Sequence, residues 1–203
     1  MDLREHGSGN LGATNVFRVL GWKSALPVVL VDVVKGLIPV WLFADLAGAG
    51  FEWTLAFGLA AIFGHMFSVW VGFEGGKGMA TSAGVFLGLA PGAVLGGFII
   101  WCGLTFYTGH VSLGSIGAAF TLPILIALTP HQGGAALVWV SSALAAFVIW
   151  AHRSNIRRLR QGKENRLGRT KTAAGASGGD GHDAGGKTEK AQRGLGNTEG
   201  AEG

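Results

Sequence analysis

Five long apolar runs limit what this chain can fold into. They cover residues 24–46, 53–72, 92–108, 112–129 and 134–151. A helix needs about 20 mostly apolar residues to cross the hydrocarbon core of a bilayer, and each run approaches or reaches that length. A water-soluble core does not account for five such runs in a chain of 203 residues. We therefore predict an all-α fold, a polytopic transmembrane helix bundle with glycine-rich loops.

The basic residues indicate how this bundle lies in the membrane. Arg18 and Lys23 precede the first run, the link between the first two runs has no Lys or Arg, and a basic cluster at 152–166 follows the last run. Lys and Arg collect on the cytoplasmic side of membrane proteins. The segment before the first run and the basic cluster are therefore predicted to be cytoplasmic. The second run returns the chain to that side, together with the loop that carries Lys77.

The number of crossings has to agree with this orientation. Lys77 and Arg153 are both predicted to be cytoplasmic, so an even number of segments must separate them, yet only three long runs do. Residues 80–90 are apolar and end before a proline, and we predict a short or re-entrant helix there, packed against protein. A membrane domain of six segments is expected within residues 1–166. Residues 167–203 lack apolar periodicity and are predicted to form a disordered tail.

Three polar stretches on the predicted cytoplasmic side combine glycines or amides with basic residues. They are "GSGNLGATNVFR" (7–18), "FEGGKGMAT" (73–81) and "HRSNIRRLRQGKE" (152–164). Glycines let successive backbone N–H groups point at an anion, so the stretches predict an anion pocket at the membrane interface. The first stretch is not preceded by a strand, as a dinucleotide-binding turn would be, and the second lacks the first Gly and the Ser/Thr of a P-loop.

Several charged residues allow two interpretations. Asp32 and Lys35 share one face of the first run, where a buried ion pair and a direct substrate role are both open. His65, in the second run, fits a packing role or a ligand role. The three arginines of the basic cluster, Arg157, Arg158 and Arg160, fit lipid headgroup contacts and topology signalling as well as a site.

Together with "VDVVKG" (31–36) and "VSLGS" (111–115), the three stretches closely resemble the motifs of the bacterial acyl-phosphate:glycerol-3-phosphate acyltransferase family. The resemblance covers roughly residues 2–166. It implies a multi-pass enzyme of the bacterial inner membrane, with the motif loops and the carboxyl terminus in the cytoplasm. Members usually have one more transmembrane helix before the first motif, whereas this chain begins six residues before Gly7.

The reaction implied by the resemblance is the first acylation step of phospholipid synthesis. A fatty acyl group moves from acyl phosphate to the 1-hydroxyl of sn-glycerol 3-phosphate, giving lysophosphatidic acid and inorganic phosphate. Acyl phosphate, glycerol 3-phosphate and membrane lipid are the implied partners, with the enzyme that forms acyl phosphate as a further one. No nucleic acid, cofactor or metal is expected, and no His, Asp or Glu pair has a metal-ligand spacing such as H-E-x-x-H.

The resemblance also implies roles for individual residues. The implied catalytic residues are Ser8, Arg18, Lys77, His152 and Asn155. The implied substrate- or phosphate-binding residues are Gly9, Asn10, Gly12, Thr14, Asn15, Gly75, Gly76, Gly78, Ser112, Ser115 and Glu164. Two groups could take the proton of the acceptor hydroxyl, His152 or the phosphate of the donor. The donor phosphate is favoured because no histidine–carboxylate dyad is visible in the sequence.

Two other functions remain as alternatives. An acyl-CoA or acyl-carrier acyltransferase of the H-x-x-x-x-D type would need an Asp five residues after a His, a spacing that none of the six histidines has. A membrane anion channel or phosphate transporter would place basic residues at mid-membrane and often has inverted repeats. Lys35 is the only basic residue deep in a run, and no repeat is evident.

Overall fold

The computed structural model describes residues 1–48 and 50–167. The tail predicted at 167–203 lies outside them except for its first residue. Within the described part, every regular element is helical. The α-helices are α1 (Ala13–Leu20), α2 (Trp22–Ile38), α3 (Ala44–Leu46), α4 (Phe51–Met66), α5 (Met79–Leu89), α6 (Pro91–Thr108), α7 (Val111–Leu128), α8 (Gly134–Ala151) and α9 (Arg153–Arg160). Short 3-10 turns occupy Leu3–Glu5 and Val69–Val71, and a π-helical turn at Pro39–Phe43 joins α2 to α3.

Five of these segments are long and apolar enough to cross a membrane. Among the described residues they are Trp22–Leu46, Phe51–Val71, Pro91–Thr108, Val111–Leu128 and Gly134–Ala151. The predicted all-α transmembrane fold is confirmed. Pro39 has no N–H to donate to an α-helical hydrogen bond. The chain accommodates it with a wider π-helical turn, so the first span continues past this residue without a break. The shorter apolar helix α5 occupies the position of the predicted short segment.

Large apolar side chains cover the outside of the bundle. Trp41, Trp53, Phe106 and Trp139 are each more than 60% exposed. Such a surface is unstable in water but is stable against lipid chains, which are as apolar as the side chains themselves. The bundle interior is small by comparison, and Ile62, Phe86, Ile126 and Leu137 are its largest fully buried apolar residues.

Small residues allow the helices to approach closely. A Cβ atom at Gly36 would collide with the carbonyl oxygen of Thr81, and one at Gly84 would collide with that of Val33. Helices α2 and α5 are therefore in direct backbone contact. Helix α7 approaches α6 in the same way at Gly114. In lipid, where no hydrophobic effect drives helix association, such contacts are a main source of packing energy.

The three polar stretches meet at one end of this bundle. The first forms a loop and α1, which turns into α2 at Gly21, a residue with φ of 82°. The second stretch joins α4 to α5. The third begins where α8 ends at His152, whose N–H donates to the carbonyls of Val148 and Ile149 before α9 starts.

Candidate active site

A cavity of about 580 Å³ opens at the end of the bundle where the three stretches meet. Its polar part is lined by Ser8, Thr14, Arg18, Lys77, His152 and Asn155. Its apolar part runs between α5, α6, α7 and α8 and is lined by residues such as Phe86, Leu95, Phe98, Leu122 and Leu144. All five residues expected to be catalytic thus lie around one cavity. A cavity with a cationic end and an apolar end suits an amphiphile with an anionic head.

The first loop is held by its own hydrogen bonds. Asn15 is only 1% exposed; its Oδ1 accepts from the N–H of Ser8 at 2.7 Å, and its Nδ2 donates to the carbonyls of Leu3 and His6. We expected Asn15 to bind substrate phosphate. In the structure all three of these bonds fold the loop, and Asn15 also lines the cavity; its contact with substrate phosphate stays a prediction.

The glycine N–H groups also differ from expectation. Gly9 donates to the carbonyl of His6 at 3.1 Å, Gly12 to Oδ1 of Asn10 at 2.8 Å, and Gly75 to the carbonyl of Met66 at 3.0 Å. These three N–H groups are therefore used within the protein and do not point at an anion. The glycines are required for close backbone approach and for the left-handed conformations at Gly7 and Gly9.

The N-terminal turns of two helices lie at the cavity. The first turn of α1, with Ala13 and Thr14, and that of α5, with Met79 and Ala80, both line the cavity. The first N–H groups of a helix have no partner within the helix, and its dipole makes this end partly positive. Gly78, at the N-cap of α5, has φ of 77° and starts that helix directly after Lys77.

A hydrogen-bonded chain of side chains links the second stretch to the third. The ammonium of Lys77 donates to Oδ1 of Asn155, and Nδ2 of Asn155 donates to Oε1 of Glu164 at 2.6 Å. Nε of Arg158 donates to the other carboxylate oxygen of Glu164 at 2.7 Å. We expected Glu164 to contact substrate, but its carboxylate holds these two partners in place. The sequence carries no signal for this link, because Asn155 and Glu164 are nine positions apart on either side of a helix end.

Burial and crowding with other cations perturb the charges of this chain. Burial lowers the pKa of Lys77 to about 8, and the nearby Arg158 guanidinium contributes to the same effect. Burial also lowers the pKa of Arg18. Burial opposes ionisation of Glu164, yet the hydrogen bonds from Asn155 and Arg158 outweigh it and lower the pKa of that carboxyl. The polar end of the cavity therefore concentrates positive charge, an arrangement that an anionic ligand relieves.

His152 is neutral and fixed in orientation. It is 4% exposed, and burial together with the charge of Lys77 lowers its pKa to about 4. Its Nδ1 lies 2.8 Å from the carbonyl oxygen of Val148, which can only accept, so the neutral ring carries its proton on Nδ1. Nε2 is then an unprotonated acceptor on the wall of the cavity.

The two serines of "VSLGS" lie farther along the cavity wall. Oγ of Ser115 accepts a hydrogen bond from Nε1 of Trp101 at 3.3 Å. Oγ of Ser112 helps to lower the pKa of Glu164, but in the described part of the chain it makes no hydrogen bond of normal geometry. A buried hydroxyl without a partner has an unused donor, so Ser112 is the better placed of the two to contact a ligand.

A second pocket, also of about 580 Å³, lies on the other side of Lys77. It is lined by Phe67, Trp150, Arg153, Arg157 and Arg158, and by Gly75 and Gly76. The guanidinium of Arg153 stacks over the ring of Trp150 at 4.2 Å from its centroid. Lys77 and Asn10 line both pockets, so the two pockets are neighbours at the cationic end of the main cavity.

Two residues from the spans also line the main cavity. Asp32 of α2 and His65 of α4 face it, and Lys35 contacts both of them. Asp32 and Lys35 thus form an ion pair, and His65 joins it. No three His, Cys, Asp or Glu side chains within residues 1–48 and 50–167 converge as a metal site would require.

Comparisons with known proteins agree with this geometry. The family model described as glycerol-3-phosphate acyltransferase matches residues 1–162. Glycerol-3-phosphate acyltransferase of Geobacter sulfurreducens is 46% identical over 82% of this chain and 84% of its own length, and that of Halalkalibacterium halodurans is 44% identical over 84% of each. The chain belongs to the glycerol-3-phosphate acyltransferase family. The resemblance in the three motif stretches is therefore confirmed.

Solved structures related to this family member share its fold. The crystal structure of PlsY (YgiH), an integral membrane glycerol 3-phosphate acyltransferase, in its glycerol 3-phosphate form superposes with a TM-score of 0.76 at 38% identity, over 83% of each chain. The lysophosphatidic acid form of that protein gives a TM-score of 0.73 at 37% identity, over 80% of this chain and 82% of the other. This member of the family is accordingly an integral membrane acyltransferase of phospholipid biosynthesis.

Proposed function

We propose that this chain transfers a fatty acyl group from acyl phosphate to the 1-hydroxyl of sn-glycerol 3-phosphate in the bacterial inner membrane. The observation that carries the proposal is the main cavity, whose cationic end and apolar end match the two parts of acyl phosphate. The relatives named above support glycerol 3-phosphate as acceptor. The motif loops then face the cytoplasm, where both phosphorylated substrates are available.

The donor phosphate is assigned to the cationic end. Arg18 offers a planar fork that pairs with two phosphate oxygens, Lys77 offers a point charge, and Ser8 lines the same cavity. The N-terminal turns of α1 and α5 add partial positive charge at the same place. The acyl chain extends along the apolar wall between α5 and α8.

The acceptor is assigned to His152 and Asn155. Nε2 of the neutral His152 accepts a hydrogen bond from the 1-hydroxyl and so aims its oxygen at the acyl carbon. Asn155 is held by Lys77 and Glu164, which leaves the second N–H of its amide to donate to the glycerol phosphate. Positioning of two bound reactants in this way supplies a large part of the rate enhancement of such reactions.

The chemical step needs no covalent acyl-enzyme. The 1-hydroxyl oxygen forms a bond to the acyl carbon, the bond from that carbon to the phosphate oxygen breaks, and phosphate leaves with the electron pair. As the new bond forms, the hydroxyl proton leaves its hydrogen bond to Nε2 of His152 and passes to the departing phosphate, because His152, with a pKa of about 4, is too weak a base to keep it. Lys77 and Arg18 stabilise the charge that develops on the phosphate.

The alternative of an anion channel finds less support. It needs a free basic residue at mid-membrane, and Lys35 is paired with Asp32 and His65. The direct test uses purified protein, labelled glycerol 3-phosphate and either acyl phosphate or acyl-CoA. We expect lysophosphatidic acid and stoichiometric phosphate release with acyl phosphate alone. Equal or faster product formation from acyl-CoA would overturn the assignment of the donor.

A further inference from the structure

Asp32, Lys35 and His65 form a polar cluster within the membrane-spanning part of the bundle. The ammonium of Lys35 contacts Oδ1 of Asp32 and lies 2.6 Å from Nδ1 of His65, and that nitrogen is 3.6 Å from Oδ1 of Asp32. The Asp32 and His65 side chains are only 10% and 12% exposed. An ammonium can only donate, so Nδ1 of His65 accepts and the imidazole proton lies on Nε2. The cluster thus fixes both the tautomer and the orientation of the ring.

The far side of the His65 ring meets the loop that carries Lys77. A Cβ atom at Gly76 would collide with Nε2 of that ring. A Cβ atom at Gly75 would collide with the backbone carbonyl oxygen of His65, and the N–H of Gly75 donates to Met66 at 3.0 Å. Two consecutive glycines therefore lie flat on the last turn of α4, immediately before Lys77.

The other end of this loop is held by the helix that carries Asp32 and Lys35. Helix α2 is in backbone contact with α5 at Gly36 and at Gly84, and α5 begins two residues after Lys77. Helix α2 thus fixes the loop twice, through α5 on one side and through Lys35 and His65 on the other. Since the Lys77 side chain ends at Asn155 on the cavity wall, a shift of the loop displaces its ammonium.

We infer that the Asp32–Lys35–His65 cluster positions Lys77 for the donor phosphate by locking the His65 ring against Gly76. The inference rests on the proposed role of Lys77 in binding that phosphate. His65 also lines the main cavity, but in this account it acts on the phosphate through the loop and Lys77 and is therefore a positioning residue. The positioning role gives a reason for the charged side chains of Asp32 and Lys35 to lie in a span, where an ionised side chain is otherwise unfavourable.

The ring and the glycine can be tested against each other in a double-mutant cycle. His65→Ala releases the loop, and Gly76→Ala pushes it away from the ring, so each change should raise the KM for acyl phosphate roughly 10- to 100-fold. In the double variant the ring that obstructs the new Cβ is gone. We expect its KM to lie well below the product of the two single effects.

Gly75→Ala is the matched control, because its Cβ would meet a backbone oxygen that no change of side chain removes. Combined with His65→Ala, it should give the product of the single effects. A second cycle with His65→Asn keeps an acceptor for Lys35 and covers the case in which His65→Ala does not fold. Thermal unfolding in detergent is measured for every variant. We expect the coupling between His65→Ala and Gly76→Ala to appear in the KM for acyl phosphate and to be smaller in the KM for glycerol 3-phosphate.

The outcomes separate this inference from the proposed function. Multiplicative losses in both the Gly76 and the Gly75 cycles, or coupling in thermal stability with unchanged kinetic constants, would overturn the positioning role alone. Lys77→Met is assayed alongside. If that variant keeps wild-type kinetics, the phosphate-binding role of Lys77 is wrong and the positioning role falls with it.

Discussion

Replacing Lys77 with arginine keeps the positive charge at this position but removes its loss at high pH, because arginine does not titrate in this range. The ordinary pKa of a lysine, 10.5, is lowered to about 8 at Lys77 by burial and by Arg158. Only the protonated ammonium binds the donor phosphate in the proposed mechanism. In the free enzyme, kcat/KM for acyl phosphate should therefore be highest below pH 8 and fall as the pH rises through this value.

The size of this fall follows from the lowered pKa. With a pKa of about 8, roughly nine-tenths of Lys77 is charged at about pH 7 and roughly one-tenth at about pH 9, so kcat/KM should drop about tenfold over that range. Bound phosphate favours the ammonium and raises its pKa, so the corresponding fall in kcat should begin at a higher pH. Lys77→Arg keeps its charge throughout; its kcat/KM should be lower overall but without the alkaline fall.

The assay is the initial rate of lysophosphatidic acid formation from pH 6 to about pH 10, with the intact acyl phosphate quantified at each pH. His152 does not confound this range, because its pKa of about 4 keeps it neutral throughout. The substrate phosphates lose their second proton at about pH 6, below the interval from about pH 7 to about pH 9 in which Lys77 titrates. A flat kcat/KM profile in the wild type, or the same alkaline fall in Lys77→Arg, would refute the reasoning.

Three further predictions concern the remaining parts of the site and its orientation. Arg18→Lys keeps the charge but loses the planar fork, so kcat/KM should fall at least about 10-fold, or about 1.4 kcal/mol. Arg160→Lys, at an exposed position, is the control, and wild-type rates in Arg18→Lys would contradict a phosphate contact. Cysteines at positions 11, 74 and 161 in a Cys102→Ala background should react with impermeant reagents only from the cytoplasmic side, and labelling of any one from outside would break the single-site arrangement. Deletion of 170–203 should leave specific activity and membrane insertion unchanged, and a large loss in either would assign the tail a role.

The sequence was sufficient for the fold class and for the family. In lipid each backbone N–H and C=O must be bonded within the protein, in a helix or in a closed barrel, so long apolar runs without strand alternation form helices. The short segment before Pro91 followed from charge parity together with the apolar character of residues 80–90, and the structure has α5 there. The motif stretches identified the family, and the five residues expected to be catalytic surround one cavity.

The partners of individual polar groups depended on the tertiary structure. The sequence placed Asn15 and the glycine N–H groups near a phosphate, but a side chain bonds to whichever group the fold brings within about 3 Å, and for Asn15 these are Ser8, Leu3 and His6. The pattern of the sequence could not predict that the carboxylate of Glu164 accepts a hydrogen bond from Asn155. It also left open the roles of Lys35 and His65, which are 30 residues apart. These two residues meet because α2 packs against α4 and α5. Helix contacts in a bilayer depend on which small residues face each other, and a hydropathy pattern does not predict this.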